Sequence, residues 1–265
     1  MFEIGKDCVI DETATINVKH GRLGDRSIVK AHATIEGNEV WIGNEAFVDV
    51  DAWIGGGSCF DKGTRLEVGD WLHMGRGAHI NFARPTFIGH EFGCGMASRV
   101  FSHGAYPPAW EGFPAQWAGC TIGDRVWLPH AWVNPGVTIG SDVVVAAMSL
   151  VNGDLPAGCL AGGIPAKVLR EGLYPRKLNA RERYALWQDI FGQTIAATGM
   201  IGGSWGFLDD EVIKVNNATL FDLGERTIAG PATPFTEALK NQLRRNGIRF
   251  RYVAKNGEYV SWDQY

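Results

Sequence analysis

A histidine closes the apolar run SRVFSH, residues 98–103, and a glycine and two prolines follow within five residues. Imidazole is the side chain whose ordinary pKa lies nearest neutral pH. His103 is therefore the leading candidate for a general base that takes a proton from an attacking O–H or N–H. It stands where a regular segment gives way to an irregular loop, the kind of place where functional side chains concentrate. The competing reading is a surface histidine at a loop edge. His130 follows Pro129 and can line a cleft. Asn81 follows Ile80 and can orient an acceptor hydroxyl or simply end a turn. The loop 104–119 carries Tyr106, Trp110, Phe113 and Trp117. Such rings stack on the apolar face of a sugar, and equally they anchor a loop on its own body or on a neighbouring subunit. Glu111 is the carboxylate nearest to His103 in the loop and can orient it. His20, His32 and His90 read as solvent-side residues.

The elements that must hold these residues show in a six-residue phase. Ile42, Val48, Ile54 and Phe60 recur every six positions, and Ala46, Ala52, Ser58 and Thr64 follow each of them four positions on. Upstream, Ile4, Ile10 and Ile16 are in step, then Leu23, Val29 and Ile35. Downstream, after a slip, come Val68, Met74 and Ile80, then Ile88, Cys94 and Val100. Beyond the loop, Ile122 and Leu128 resume the series, and Ile139, Val145 and Val151 end it. A period of six is neither helical nor a long alternating strand. It predicts very short strands separated by turns, three to a coil of about eighteen residues, with the aliphatic residue inward. Gly5, Gly24, Gly43, Gly69, Gly89, Gly123 and Gly140 follow the aliphatic residue and relieve backbone crowding or permit positive φ. A β-sandwich is the competing architecture, but the hairpin dipeptides it needs are few. His73 and His79, six apart, fall on successive faces, which argues against a metal held by that pair.

Composition bounds the function classes. The net charge of -4, from 25 Lys and Arg against 29 Asp and Glu, gives no reason to expect nucleic acid or an anionic membrane as partner. No apolar stretch reaches the length of a membrane span. The opening MFEIGKDCVIDE lacks the basic and apolar regions of a secretory signal. The five cysteines, Cys8, Cys59, Cys94, Cys120 and Cys159, include no CxxC pair, so reduced thiols and a cytoplasmic location are expected.

The stretch from Thr121 to Arg170 contains IGDRVWL, PGVTIG and the closing GGIPAKVLR. In these pieces residues 1–172 resemble the hexapeptide-repeat acyltransferases, and sugar or polysaccharide O-acetyltransferases in particular. The resemblance implies a left-handed parallel β-helix, a homotrimer, and acetyl transfer from acetyl-CoA to a hydroxyl or amine. It implies a histidine base near a strand end, which SRVFSH matches at His103. It also places coenzyme A along the C-terminal coils. There Ala146 and Ala147 are small enough for a pantetheine arm to approach, and Lys167 and Arg170 can meet phosphates. Two departures stand out: Ile164 occupies the position before Pro-Ala-Lys where Asn is usual, and Pro129 and His130 replace a Gly-Ala pair.

The fold class expected is therefore mainly β: a left-handed parallel β-helix over 1–172 with an inserted loop at about 104–119, and a small α/β appendage over 173–265. In the appendage Tyr184, Trp187, Ile190 and Phe191 have helical spacing. EVIKVNNATLFDLGERTIAG reads as two strands around a turn, Thr233 as a helix start and Gly247 as its end, and YVSWDQY as a final strand. Arg244, Arg245, Arg249 and Arg251 form a solvated helix end or a site for an acidic glycan or nucleotide. Three functions are open at this point. The first is a CoA-dependent acetyltransferase acting on a sugar such as a polysaccharide unit, with Asn81, Tyr106, Trp110, Trp117 and His130 around the acceptor and no metal expected. The others are a metal-dependent hydratase on the same solenoid and a non-catalytic scaffold.

Overall fold

The computed structural model describes residues 1–200 and 203–264, and the end of the expected strand YVSWDQY, Tyr265, lies outside them. The described chain forms two compact units, Met1–Arg176 and Lys177–Tyr265.

The first unit is a stack of parallel coils with three ladders of short strands. In one ladder Val29, Val48, Met74, Cys94 and Leu128 lie in register. In the second, Ile16, Ile35, Ile54, Ile80, Val100, Val133 and Val151 do so. In the third, Leu23, Ile42, Val68, Ile88, Ile122 and Ile139 do so. Apart from the half-buried Ile16, these columns interdigitate into one buried core. Each fully buried aliphatic side chain contributes on the order of 1.5–3 kcal/mol, and no coil could bury its own face alone. The six-residue phase fails at two places. Ile4 lies in the terminal coil, half exposed. Phe60, expected inward, is 36% exposed, and Cys59 takes its place in the core. The reason is that the chain leaves the coil after Ile54 and returns only at Arg65–Val68, so its phase is lost in between.

The glycines after the aliphatic residue serve crowding, not positive φ. A Cβ on Gly43 would lie 2.6 Å from the Asp70 nitrogen, and one on Gly123 2.6 Å from the Ser141 nitrogen. Positive φ falls two residues later, at Arg26, Glu45, Trp71, Glu91, Arg125 and Asp142. Between them stands a column of polar side chains that binds coil to coil. The Asp25 N–H donates to Asn44 Oδ1, Asn44 N–H to Asp70 Oδ1, and Asp70 N–H to His90 Nδ1. His90 N–H donates to Asp124 Oδ1, and Asp124 N–H to Ser141 Oγ. His90, read from the sequence as a solvent-side residue, is exposed and also a member of this corner column. The corner at Pro129 and His130 does not break the ladders: Arg99 still pairs with Trp132, and Ala131 with Ser149.

The second unit has its own aromatic core. Helix α1, Ala180–Thr198, starts at an Asn179–Glu182 capping box and buries Trp187, Ile190 and Phe191, while Tyr184 stays half exposed. Helix α2, Pro234–Arg245, starts at Thr233 as expected and ends at Arg245. The expected strand pair is part of a four-stranded antiparallel sheet, Trp205–Phe207, Val212–Val215, Thr219–Asp222 and Thr227–Ala229. A separate hairpin joins Tyr252–Lys255 to Glu258–Ser261.

Candidate active site

Two excursions leave the coils at the same corner, after strands of the second ladder. One runs from Gly55 to Thr64. The other starts with the antiparallel pair His103–Gly104 and Gln116–Trp117 and carries the aromatic loop between them. The coil between the two excursions contributes Asn81, just past His79–Ile80.

Asn81 is 1% exposed and ties the corner together. Its Nδ2 donates to the carbonyls of Gly55 and Gly57, at 3.2 and 3.3 Å. Two carbonyl partners fix which end of the amide is nitrogen. The opposite oxygen, Oδ1, accepts from Ser102 Oγ at 2.9 Å and from the Ala83 N–H at 3.3 Å. The same oxygen lies 2.9 Å from His103 Nδ1. An amide oxygen only accepts, so His103 Nδ1 must carry the proton, and the neutral ring keeps its lone pair on Nε2. The His103 ring stacks on Trp117 with centroids 4.8 Å apart, and the Arg84 guanidinium lies 4.7 Å from the Trp117 ring centre. These contacts hold the imidazole by one edge and one face and leave the Nε2 edge toward Gly57.

A second histidine supports the loop. His79 stacks on Trp53 at 4.6 Å, and its Nε2 donates to the Gly55 carbonyl at 3.2 Å. Burial lowers its pKa, more than the Gly55 hydrogen bond raises it, which favours the neutral ring. Glu36 Oε1 accepts from Trp53 Nε1 and from the Gly56 N–H. Cys59, within the same excursion, turns into the core, and burial, with Glu36 adding to it, pushes its thiol up to about 11, so it stays protonated.

The sequence expectations distribute unevenly over this geometry. His103, Asn81 and Trp117 come together. Tyr106 and Trp110 stand at the far end of the hairpin, 98% and 99% exposed, and make no ring contact with His103. Glu111 is exposed in the same segment, and the place expected for an orienting carboxylate belongs to Asn81. His130 is at the other edge of the second ladder, where its Nδ1 lies 2.9 Å from the Met96 carbonyl. It lines a cavity of about 280 Å³ with Trp132, Met148, Ser149, Leu150 and Ile164. Ala146 follows the strand Val144–Val145 and Ala147 opens the turn at Met148, and Lys167 and Arg170 lie on the strand Ala166–Arg170, both exposed. His79, Glu36 and the Gly55–Gly57 loop were missed. The signal was present in three consecutive glycines where the six-residue phase slips.

No family model matches the chain. Galactoside O-acetyltransferase of Escherichia coli K12 is 40% identical over 70 residues, 26% of this chain and 32% of that protein. A second protein of the same strain, named for O-acetyl transfer in lipopolysaccharide biosynthesis, is 31% identical over 121 residues, 43% of this chain and 61% of its own length. The chain thus spans less than two thirds of the length of either relative. Among solved structures, a galactoside acetyltransferase in complex with coenzyme A superposes with a TM-score of 0.43 at 24% identity, over 52% of this chain and 70% of that one. By sequence, the chain resembles the hexapeptide-repeat acyltransferases, and among them the sugar O-acetyltransferases.

Proposed function

We propose that this chain transfers an acetyl group from acetyl-CoA to a hydroxyl or amine of a sugar, with His103 as general base. The observation that carries the reading is the bond from His103 Nδ1 to Asn81 Oδ1. It fixes the tautomer with a neutral partner and leaves Nε2 to take the acceptor's proton. Bound acetyl-CoA supplies an acyl thioester. The cavity beside His130, walled mostly by apolar side chains, suits a pantetheine arm, with Lys167 and Arg170 on the adjacent exposed strand suited to its phosphates.

His103 binds the acceptor through Nε2, positions its O–H or N–H, and holds the abstracted proton while Nδ1 stays bonded to Asn81. Ser102 Oγ, itself accepting from the Arg84 N–H, steadies the Asn81 oxygen. The relatives named for acetyl transfer to galactosides and in lipopolysaccharide biosynthesis support a sugar, in a polysaccharide or its precursor, as acceptor. His103 and the cavity lie at opposite edges of one face, so a second copy that set its cavity against His103 would complete the site. This supports the homotrimer that the family resemblance implies. Left-handed coils over residues 1–172 and a cytoplasmic site of action complete the reading, on the family resemblance and the reduced cysteines.

The test is free-thiol release from acetyl-CoA with a panel of sugars and amino sugars, for wild type and His103→Ala. The reading requires a wild-type signal that falls about a hundredfold or more in the variant while CoA binding persists. Turnover that survives the substitution removes His103 from the role. No turnover and no CoA binding in the wild type overturns the transferase.

A further inference from the structure

Gly55, Gly56 and Gly57 are not equivalent. Gly55 has φ +137° and Gly56 φ +89°, where a side chain is strained whatever the space. A Cβ on Gly56 would also press to 3.1 Å from His79 Nε2 and 3.3 Å from Trp53. Gly57 has neither reason to be glycine. Its φ lies outside the left-handed range. Among the described residues, apart from its chain neighbours, the atoms within 4 Å of a Cβ at 57 are His103 Nε2 at 3.7 Å and Cε1 at 3.8 Å. The backbone tolerates a side chain here, yet that side chain would stand beside the Nε2–Cε1 edge of the ring, next to the nitrogen that bears the lone pair.

The distance has a chemical meaning. A hydroxyl that gives its proton to Nε2 places its oxygen about 2.8 Å from the nitrogen. The carbon bearing that oxygen then lies roughly 3.6 Å from Nε2, the same range as a Cβ at position 57, so a side chain there and the acceptor carbon would compete for the space beside the nitrogen. The spacing is not left to a floppy loop. Asn81 holds His103 Nδ1 through its oxygen and the Gly57 carbonyl through its nitrogen, so one buried side chain fixes both walls.

We propose that Gly57 is the specificity-determining residue of the acceptor site: the space left by its missing side chain receives the acceptor carbon that bears the reacting group. This rests on the transferase reading for its chemistry. The gap beside Nε2 belongs to the fold, and it admits a ring-borne hydroxyl or amine that a larger residue would exclude. The Gly57 carbonyl anchors Asn81 and is kept in any variant, whereas the missing side chain sets the size of what reaches the base.

The experiment uses the full chain with Gly57→Ala and Gly57→Val, each checked for an unchanged melting temperature. With a hexose acceptor, Gly57→Ala raises the acceptor KM about tenfold and leaves the KM for acetyl-CoA unchanged. Gly57→Val lowers kcat/KM for the hexose by about a hundredfold or more, and for ethylene glycol by less than about tenfold. Hexose turnover by Gly57→Val within about threefold of wild type overturns the proposal, as does an equal loss for both acceptors. A second arm needs no turnover. Diethyl pyrocarbonate reacts at the free Nε2, and peptide mass mapping follows its addition to His103. That rate falls about tenfold in Gly57→Val, and an unchanged rate overturns the gap. A wild type that releases no thiol with any acceptor defeats the transferase reading, and the second arm still decides what position 57 controls.

Discussion

His103 and His130 have the same protonation pattern and different surroundings. Each presents Nδ1 to an oxygen that accepts, Asn81 Oδ1 for one and the Met96 carbonyl for the other. Each neutral ring therefore keeps its lone pair on Nε2. What separates them lies around the ring. His103 is stacked on Trp117, tied through a buried amide to two glycine carbonyls, and faces the gap at Gly57. His130 is tied to one backbone carbonyl and looks into an apolar cavity. A usable tautomer is thus common and cheap to make; a base also needs a fixed ring and a shaped space before its lone pair.

The largest test of this contrast is the pair His103→Ala and His130→Ala under saturating substrates. His103→Ala is expected to lower kcat by about a hundredfold to ten-thousandfold. The reverse ranking in thiol-release rates would exchange the two roles. Next is the buried amide. Asn81→Ala frees the His103 ring and the glycine loop together, and kcat/KM falls on the order of tenfold to a hundredfold. Asn81→Asp keeps an acceptor for Nδ1 but adds a negative charge, which favours the imidazolium. The acid limb of its pH–rate profile moves to higher pH, a shift that loosened packing alone would not produce.

His130→Ala has a smaller effect. Losing one wall of the cavity raises KM for acetyl-CoA by about fivefold to thirtyfold, from roughly 1–2 kcal/mol of lost contact, with kcat held. Smallest is a stability effect at His79. Its folded pKa lies below its ordinary 6.5, with burial the main cause, so below pH 6.5 the unfolded chain takes up a proton that the folded chain refuses. Stability contributed by the neutral ring is therefore present above pH 6.5 and lost as pH falls below it. His79→Phe keeps a ring on Trp53 but no titrating group. Thermal melts at pH 7.5 and 5.5 should differ less in the variant than in wild type, and equal differences would remove His79 as the cause.

Much of the coil stack was legible because one side chain in six must be apolar and inward, and that rule is local. The phase survives slips, so Ile80 and Val100 could be placed in the same column before any coordinate. His103 was legible for a similar reason: it ends a phased run. Its partner was not. Asn81 lies 22 residues before it, and which residue of one coil meets which of the next depends on how long the intervening loop is. The nearest carboxylate in sequence, Glu111, was the natural guess, and the hairpin carries it away from the ring. Glycine misled in a second way. At Gly43 or Gly123 it admits the backbone of the next coil, at Gly55 and Gly56 it adopts φ values that other residues avoid, and at Gly57 it leaves room. The letter is the same, and only the neighbours tell the three uses apart.

The corner column has a consequence for how such a chain can change. Its successive members are separated by 19, 26, 20, 34 and 17 residues, yet the hydrogen bonds run through all of them. The count restarts at every corner, much as a line break resets the margin whatever the length of the sentence before it. A loop inserted or cut between two corners alters what is written there and does not displace the lines above and below. The stretch that carries His103 hangs on the longest of these lines, so it is the passage most easily rewritten while the spine stays in print.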